Sequence, residues 1–175
     1  LEFRRVLFRS RYGVYAPICS NKGVAFFGRD SESTLPVWSA KDGFPGDGVY
    51  REFHKDLGWE LPISKLQKKG ISSKRPLGLK YHRITDAKTS LDKKEFYLEN
   101  EAIKKAADHA NDYLLERSKQ LEKLTLSSPF LPLLVAPFDA ELFGHWWYEG
   151  PLFIKNILMN SPKFSIELTN LKEFL

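Results

Sequence analysis

The longest regular pattern of apolar residues lies in the second half of the 175-residue chain. Between residues 99 and 126, apolar side chains recur at alternating spacings of three and four, which predicts one long amphipathic helix. Arg117 interrupts this stripe, and Ser127, Ser128 and Pro129 should end the helix. The predicted buried stripe consists of Ile103, Ala107, Ala110, Leu114, Leu121 and Leu124.

A continuous apolar run follows at residues 131–137, with no polar side chain in it. Such a run is typical of a strand buried on both faces. A long helix followed by a buried strand fits the alternating order of an α/β barrel, in which the chemistry lies at the strand ends. The first side chains after the run, Asp139 and Glu141, are therefore candidates for that chemistry.

Shorter patterns predict the first half of the chain. Residues 12–27 contain two β-rich stretches around a Ser-Asn-Lys-Gly turn, which predicts a hairpin. Residues 31–36 are polar and predict a loop. We further expect a short helix at residues 50–57, ended by Gly58, and a strand at residues 77–84.

The last part of the chain carries clear boundary signals. Pro151 occupies a position typical of the first helical turn, and the Ser-Pro pair at residues 161–162 should end that helix. Residues 164–168 alternate as in a strand. Asn170 can cap a final helix.

The balance of charges gives little support for a nucleic-acid or membrane partner. The chain has 27 Lys and Arg against 22 Asp and Glu, a net charge of +5. Residues 1–10 resemble a translated sequencing-adapter read and are left out of the fold prediction. They carry three Arg and one Glu, so 24 basic and 21 acidic residues remain, a net charge of +3. So small an excess, spread along the chain, predicts neither nucleic acid nor an anionic membrane as a partner.

The cysteine and histidine content bears on the cellular compartment and on metal binding. Cys19 is the single cysteine, so no internal disulfide can form, which is typical of a reducing compartment and predicts a cytoplasmic protein. The four histidines are spaced by 28, 27 and 36 residues, which matches no metal-ligand motif. The sequence therefore predicts no metal and no cofactor.

Residues 138–151 combine acids with many aromatic rings. They read Phe-Asp-Ala-Glu-Leu-Phe-Gly-His-Trp-Trp-Tyr-Glu-Gly-Pro. Flat apolar rings suit the faces of a pyranose, and a carboxyl group can protonate a glycosidic oxygen. A carbohydrate site is one interpretation. The other is a core strand followed by the aromatic start of a helix, with solvated acids.

The same fourteen residues closely resemble the fourth conserved region of glycoside hydrolase family 57. They look most like the branch of that family that contains the 1,4-α-glucan branching enzymes. The resemblance covers nearly the whole chain from Arg11 onward. Further matching segments are residues 11–17, 24–30, 37–40, 43–47, 50–53 and 80–85.

This resemblance implies an α/β fold, the C-terminal part of a distorted seven-stranded (β/α) barrel. The barrel part would span residues 11–175, with an inserted loop and helix region at about 31–75. It implies retaining transglycosylation in glycogen biosynthesis, with α-1,4-glucans such as amylose or glycogen as donor and acceptor and α-1,6 branches as product. The family's nucleophilic glutamate belongs to a region N-terminal to any in this chain, so we expect a fragment that is inactive by itself.

The resemblance also assigns the site residues. Asp139 matches the family's general acid/base, whereas the pattern alone does not separate it from Glu141, because alternate residues of an extended chain point to the same side. Core packing is an equal alternative for Trp147, since large aromatic side chains are highly buried on average. His82 is a further candidate contact. The predicted substrate-binding residues are Trp38, Glu141, His145, Trp146, Trp147 and Tyr148.

The sequence is also compatible with two other functions. An α-amylase or 4-α-glucanotransferase of the same family would use the same acid with a different acceptor, although residues 37–47 favour branching. A non-catalytic α-glucan-binding protein would need only the aromatic platforms.

Overall fold

The computed structural model describes residues 12–175, so the adapter-like residues 1–10 lie outside the described residues. Within the described part the chain is mainly helical, with two short strands, β1 (Ile18–Cys19) and β2 (Ala25–Phe26). The α-helices are α1 (Ser31–Trp38), α2 (Leu57–Glu60), α3 (Ile63–Gln67), α4 (Glu99–Ser127), α5 (Gly150–Asn160) and α6 (Leu171–Phe174). Short 3₁₀ turns lie at Phe44–Gly46, Leu91–Lys93, Ala140–Leu142 and Ser161–Phe164.

The seven-stranded barrel is not seen in residues 12–175, where the sheet consists of the antiparallel pair β1 and β2. The hairpin itself is confirmed: Ile18 pairs with Phe26 and Cys19 with Ala25. Gly23 has a φ of +78° in the turn, a conformation that glycine adopts without a steric penalty.

The predicted strand at residues 131–137 is an extended segment with single backbone hydrogen bonds on two sides. Leu133 N donates to Tyr15 O at 2.9 Å, and Asp30 N donates to Val135 O at 2.8 Å. The prediction of burial on both faces is wrong for the described residues, because Leu131 is 71% exposed. The segment still joins the hairpin region to the residues that follow it.

The long helix is confirmed as α4, but its buried face is rotated from the predicted stripe. Ala110 and Leu114 are buried as predicted, but Ile103 is 42% exposed. Ala102 and Ala106, each one position before a predicted residue, are buried instead. These small side chains lie in one core cluster with large aromatic rings, which explains why a stripe of alanine rather than leucine faces inward. The buried residues of the helix are Ala102, Ala106, Ala110, Leu114, Arg117 and Gln120.

An arginine that interrupts an apolar stripe would be expected to face solvent, but Arg117 is buried. Its guanidinium donates to Glu32 O, and Gln120 Nε2 donates to the Asp30 carboxylate at 3.1 Å. Asp30 also caps α1, accepting from Glu32 N at 3.3 Å and Ser33 N at 3.0 Å. The prediction of a loop at residues 31–36 is therefore wrong, because the N-cap at Asp30 starts a helix there.

The structure bears on four further predictions. The predicted helix at residues 50–57 is wrong: no helix forms over residues 50–56, where the chain bonds to the 77–84 stretch, with Glu52 N donating to His82 O at 2.9 Å. Residues 164–168 form no strand, since a 3₁₀ turn ends at Phe164 and Ser165 is left-handed. The helix start at Pro151 and the cap at Asn170 are confirmed.

Asp56 fixes the start of α2 and a neighbouring turn at once. Its carboxylate accepts from Gly58 N at 2.8 Å, Leu77 N at 2.9 Å and Gly78 N at 2.8 Å. Burial acts to raise the pKa of this carboxyl, but the three backbone N–H donors outweigh it and lower the pKa from its ordinary value.

Asp56→Ala should therefore destabilise the protein by about 2 kcal/mol at pH 7, because it leaves backbone donors without an acceptor. Since the folded pKa lies below the ordinary 3.8, this contribution is complete above that pH and is lost as pH falls through the folded value. Urea denaturation across pH checks both points. Asp86→Ala is the matched control, since Asp86 accepts from two backbone N–H groups but is exposed. Equal stability of Asp56→Ala and the parent at pH 7 would contradict this account.

Candidate functional site

The end of α1, the 51–54 stretch and the aromatic motif meet at a cavity of about 460 Å³. Both candidate acids, Asp139 and Glu141, line it, as do two of the predicted aromatic contacts, Trp38 and Trp146. Ten further residues complete the wall. They are Ala40, Pro45, Arg51, Glu52, Phe53, His54, Ile84, Ala87, Lys94 and Leu142.

A tight turn holds the motif in place. Asp139 precedes the 3₁₀ turn and its carbonyl accepts from Leu142 N at 3.1 Å. The chain then doubles back: Trp147 N donates to Leu142 O and Gly144 N donates to Trp147 O, both at 2.8 Å. Gly144 has a φ of +94° in this turn, which a residue with a Cβ rarely adopts. The turn separates the acids, at its start, from the aromatic pair at its end.

The two neighbouring tryptophans face opposite environments as a result. Trp146 is 52% exposed and lines the cavity, whereas Trp147 is 2% exposed. The ring of Trp147 lies 5.4 Å from that of Tyr50 and 5.0 Å from that of Phe153, centroid to centroid. Trp147 is thus packed in the core, which is the alternative that the sequence left open for it, and its role as a substrate contact stays a prediction.

Trp146 is one layer of a stack that the sequence did not reveal. Its ring lies 4.5 Å from that of Phe53 with an interplanar angle of 28°. Lys80 Nζ lies 3.8 Å from the centre of the Phe53 ring, a cation–π distance. His145 packs its edge against both rings, 5.5 Å from Phe53 and 5.3 Å from Trp146. Phe53 therefore stacks on Trp146, both rings line the cavity, and His145 contacts this stack.

Tyr148 and His82 lie outside the cavity lining. The guanidinium of Arg51 lies 3.4 Å from the centre of the Tyr148 ring, so Tyr148 supports a cavity residue. His82 stacks on Phe96 at 5.1 Å, and burial lowers its pKa. Neither geometry places the side chain on a ligand in the cavity.

Asp139 and Glu141 lie in similar surroundings. Both Asp139 and Glu141 are exposed at the cavity, and within residues 12–175 no apolar shell encloses either. The nearby rings of Phe138 and Phe143 pack edge to face on each other, with 5.6 Å between their centroids. The geometry places both acids at the cavity and does not choose between them.

A buried ion pair, whose two members lie outside the aromatic motif, forms part of the cavity wall. Lys94 Nζ lies 3.4 Å from Glu52 Oε2, and the side chains are 6% and 9% exposed. His54 N donates to Glu52 Oε1 at 2.9 Å. Sequence reasoning missed this pair because its members belong to separate segments, with no shared motif to connect them.

Glu149 ties the 51–54 stretch to the start of α5. Its side chain is buried, and Oε1 accepts from Arg51 N at 3.1 Å. Burial raises the pKa of the Glu149 carboxyl, and the hydrogen bond from Arg51 N opposes that effect. Glu149 thereby positions the backbone that carries Arg51, Glu52 and Phe53 into the cavity.

Residues 12–175 contain no helix long and apolar enough to cross a membrane. In the same residues, no three His, Cys, Asp or Glu side chains are arranged to hold a metal ion.

No protein-family model matches the chain. A 1,4-α-glucan branching enzyme of Thermococcus kodakarensis is 35% identical over 152 residues, which cover 87% of this chain and 20% of that protein. The crystal structure of the α-amylase AmyC of Thermotoga maritima matches with a TM-score of 0.86 and 40% identity, over 94% of this chain and 32% of that one. The GH57-type branching enzyme of Pyrococcus horikoshii matches with a TM-score of 0.78 and 31% identity, over 93% of this chain and 27% of that one. The chain thus spans between a fifth and a third of these relatives.

Proposed function

We infer, from the premise that this chain is homologous to a segment of the glycoside hydrolase family 57 branching enzymes, that it is part of a 1,4-α-glucan branching enzyme. The observation that carries this proposal is the cavity, in which the candidate acid Asp139 lies together with Trp38 and Trp146. A carboxyl group beside aromatic platforms suits the cleavage of a glycosidic bond, because the carboxyl can protonate the glycosidic oxygen while the rings hold the sugars.

Asp139 serves as the general acid/base in this proposal. A nucleophilic carboxylate supplied from outside residues 12–175 attacks the anomeric carbon of an α-1,4-glucan, and Asp139 donates its proton to the leaving glycosidic oxygen. Asp139, now ionised, then accepts the proton of an incoming sugar hydroxyl, whose oxygen attacks the same carbon and displaces the nucleophile. Two displacements at one carbon retain the α configuration. With a sugar 6-hydroxyl as the acceptor, the product is an α-1,6 branch.

The aromatic residues supply the preference for a sugar over water as acceptor. Trp38, at the end of α1, and Trp146, supported by Phe53, both line the cavity, so glucose rings can stack on either. Stacked glucan excludes water from the reaction centre, which favours transfer over hydrolysis. Amylose or glycogen is then both donor and acceptor, and the reaction belongs to glycogen synthesis.

An α-amylase is the second candidate, and the fold match to the Thermotoga maritima α-amylase is the observation that favours it. Hydrolysis uses the same acid and the same nucleophile, with water in place of the sugar hydroxyl. The two activities therefore differ in product and not in the catalytic pair.

Product analysis separates these functions. Amylose incubated with the full-length protein should gain the anomeric proton signal of α-1,6 linkages in NMR, with little rise in reducing ends or free glucose. A rise in reducing ends with no branch signal would replace branching by hydrolysis. Binding of amylose with neither product would indicate a non-catalytic glucan-binding protein. The Asp139→Asn protein serves as the negative control for both the branch signal and the reducing ends.

A further inference from the structure

We propose that the buried Glu52–Lys94 pair is a sugar-binding element of the cavity, in which the Glu52 carboxylate accepts a hydrogen bond from a glucose hydroxyl and Lys94 positions that carboxylate. This inference rests on the proposed function, because it takes an α-glucan as the ligand. It adds a specificity-determining residue that lies outside the aromatic motif.

The hydrogen-bonding capacity of the pair is incompletely used. A lysine ammonium has three donors, and Lys94 Nζ gives two of them to the carbonyl oxygens of Ile84 and Asp86. The remaining direction faces Glu52 Oε2 at 3.4 Å, longer than the 2.7–2.9 Å or so of a strong charge-assisted bond. Glu52 Oε1 accepts from His54 N at 2.9 Å. A carboxylate accepts about four hydrogen bonds, so Glu52 retains capacity for a donor that enters the cavity.

The location of the pair favours a ligand role over a structural one. Both residues line the cavity that holds Asp139 and Trp38, although less than a tenth of either side chain is exposed. Burying two charges costs desolvation energy that an ion pair often fails to recover, so such pairs are weak devices for stability. A carboxylate held in a cavity wall by fixed donors is, by contrast, well suited to a hydroxyl donor, since its orientation is set before the ligand binds.

A second ion pair in the same region provides a matched comparison. Lys55 Nζ lies 2.6 Å from Glu60 Oε1 and donates to Leu91 O at 2.6 Å, with 7% of the Lys55 side chain exposed. Neither Lys55 nor Glu60 lines the cavity. The two pairs share their chemistry and differ in access to the cavity and in the exposure of the carboxylate, which is 34% for Glu60 and 9% for Glu52. Glu60→Gln therefore controls for the loss of a carboxylate charge beside a buried lysine.

The test measures affinity for maltoheptaose by calorimetry in the full-length protein that carries Asp139→Asn, so that no turnover occurs. Adding Glu52→Gln should weaken the affinity roughly tenfold or more, as expected for a hydrogen bond to a charged group. Adding Glu60→Gln should leave it within twofold. Lys94→Met should weaken it in the same direction as Glu52→Gln, and Lys94→Arg should recover part of the loss.

Monodeoxy maltotriosides separate a direct contact from an effect on folding, because they leave Glu52 unchanged. With Glu52 intact, the derivative that lacks the contacted hydroxyl should bind roughly tenfold more weakly than its parent sugar. This difference should disappear in Glu52→Gln. Equal binding of every monodeoxy derivative would overturn the proposal, as would equal losses in Glu52→Gln and Glu60→Gln.

The same measurements distinguish this inference from the proposed function. If the Asp139→Asn protein binds no α-glucan at all, the proposed function fails together with the inference. If it binds maltoheptaose, and Trp38→Ala weakens that binding while Glu52→Gln does not, the inference alone is wrong.

Discussion

Replacing Asp139 by asparagine should lower kcat/KM for amylose by about 10²–10⁴, the usual contribution of a general acid/base. The amide keeps the shape of the carboxyl group and some of its hydrogen bonds, but it cannot give a proton to the leaving oxygen. Because Asp139 is exposed at the cavity and caps no helix through its side chain, the variant should fold like the parent. Glucan affinity should change far less than turnover.

Glu141→Gln is the matched control for this prediction. Glu141 lies two residues away, lines the same cavity and is also exposed. If its role is to support binding, its loss should reduce turnover less than the loss of Asp139. Turnover of amylose by the two variants, compared at equal circular dichroism, decides the assignment: near-normal Asp139→Asn and inactive Glu141→Gln would reverse it.

The neighbouring tryptophans should give opposite results when each is replaced by alanine. Trp147→Ala removes a 2%-exposed ring from the core cluster and should destabilise the protein by about 3–5 kcal/mol. Trp146→Ala removes a half-exposed ring and should change stability little, while it weakens glucan binding by about 1–3 kcal/mol through the lost stacking surface.

Urea denaturation and maltoheptaose calorimetry on both variants test this pair of effects. The parent protein and Trp59→Ala serve as references, since Trp59 is half exposed and lies outside the cavity. A Trp147→Ala protein with normal stability and lost glucan affinity would mean that Trp147, and not Trp146, faces the ligand.

The signals that predicted the site were local ones. The motif at residues 138–151 is continuous, so its acids and the exposed Trp146 could be recognised without knowledge of the fold. The long helix α4 could also be predicted from the sequence, because 28 residues with apolar side chains at helical spacing are not compatible with a strand. Trp38 was assigned from the family resemblance, and the structure brings it to the same cavity as Asp139.

What the sequence did not predict depends on contacts between distant segments. The spacing of α4 fits two adjacent faces, and only packing against Trp147 and Phe153 selects the alanine face. From the sequence alone, Arg117 and Gln120 would be expected at the surface. They are buried because Arg117 donates to the carbonyl of Glu32 and Gln120 donates to Asp30.

The cavity shows the same limitation. Glu52 and Phe53 reach the cavity on the 51–54 stretch, for which the residue pattern predicted a helix, and Lys94 joins Glu52 there from a separate segment. The roles of Asp139, Glu141 and the cavity aromatics as site residues stay predictions, because placement in a cavity is not activity.

The most direct test of the central claim, that Asp139 is the acid/base of a retaining glucan-transferring enzyme, uses α-maltosyl fluoride and azide with the full-length Asp139→Asn protein. Fluoride leaves without a proton, so the first displacement should proceed at near the parent rate although amylose turnover is lost. Azide attacks without losing a proton, so it should accelerate the second displacement and yield α-maltosyl azide, with the configuration of the substrate. If the variant is as slow with maltosyl fluoride as with amylose, and azide gives neither rescue nor an α-azide product, Asp139 is not the acid/base.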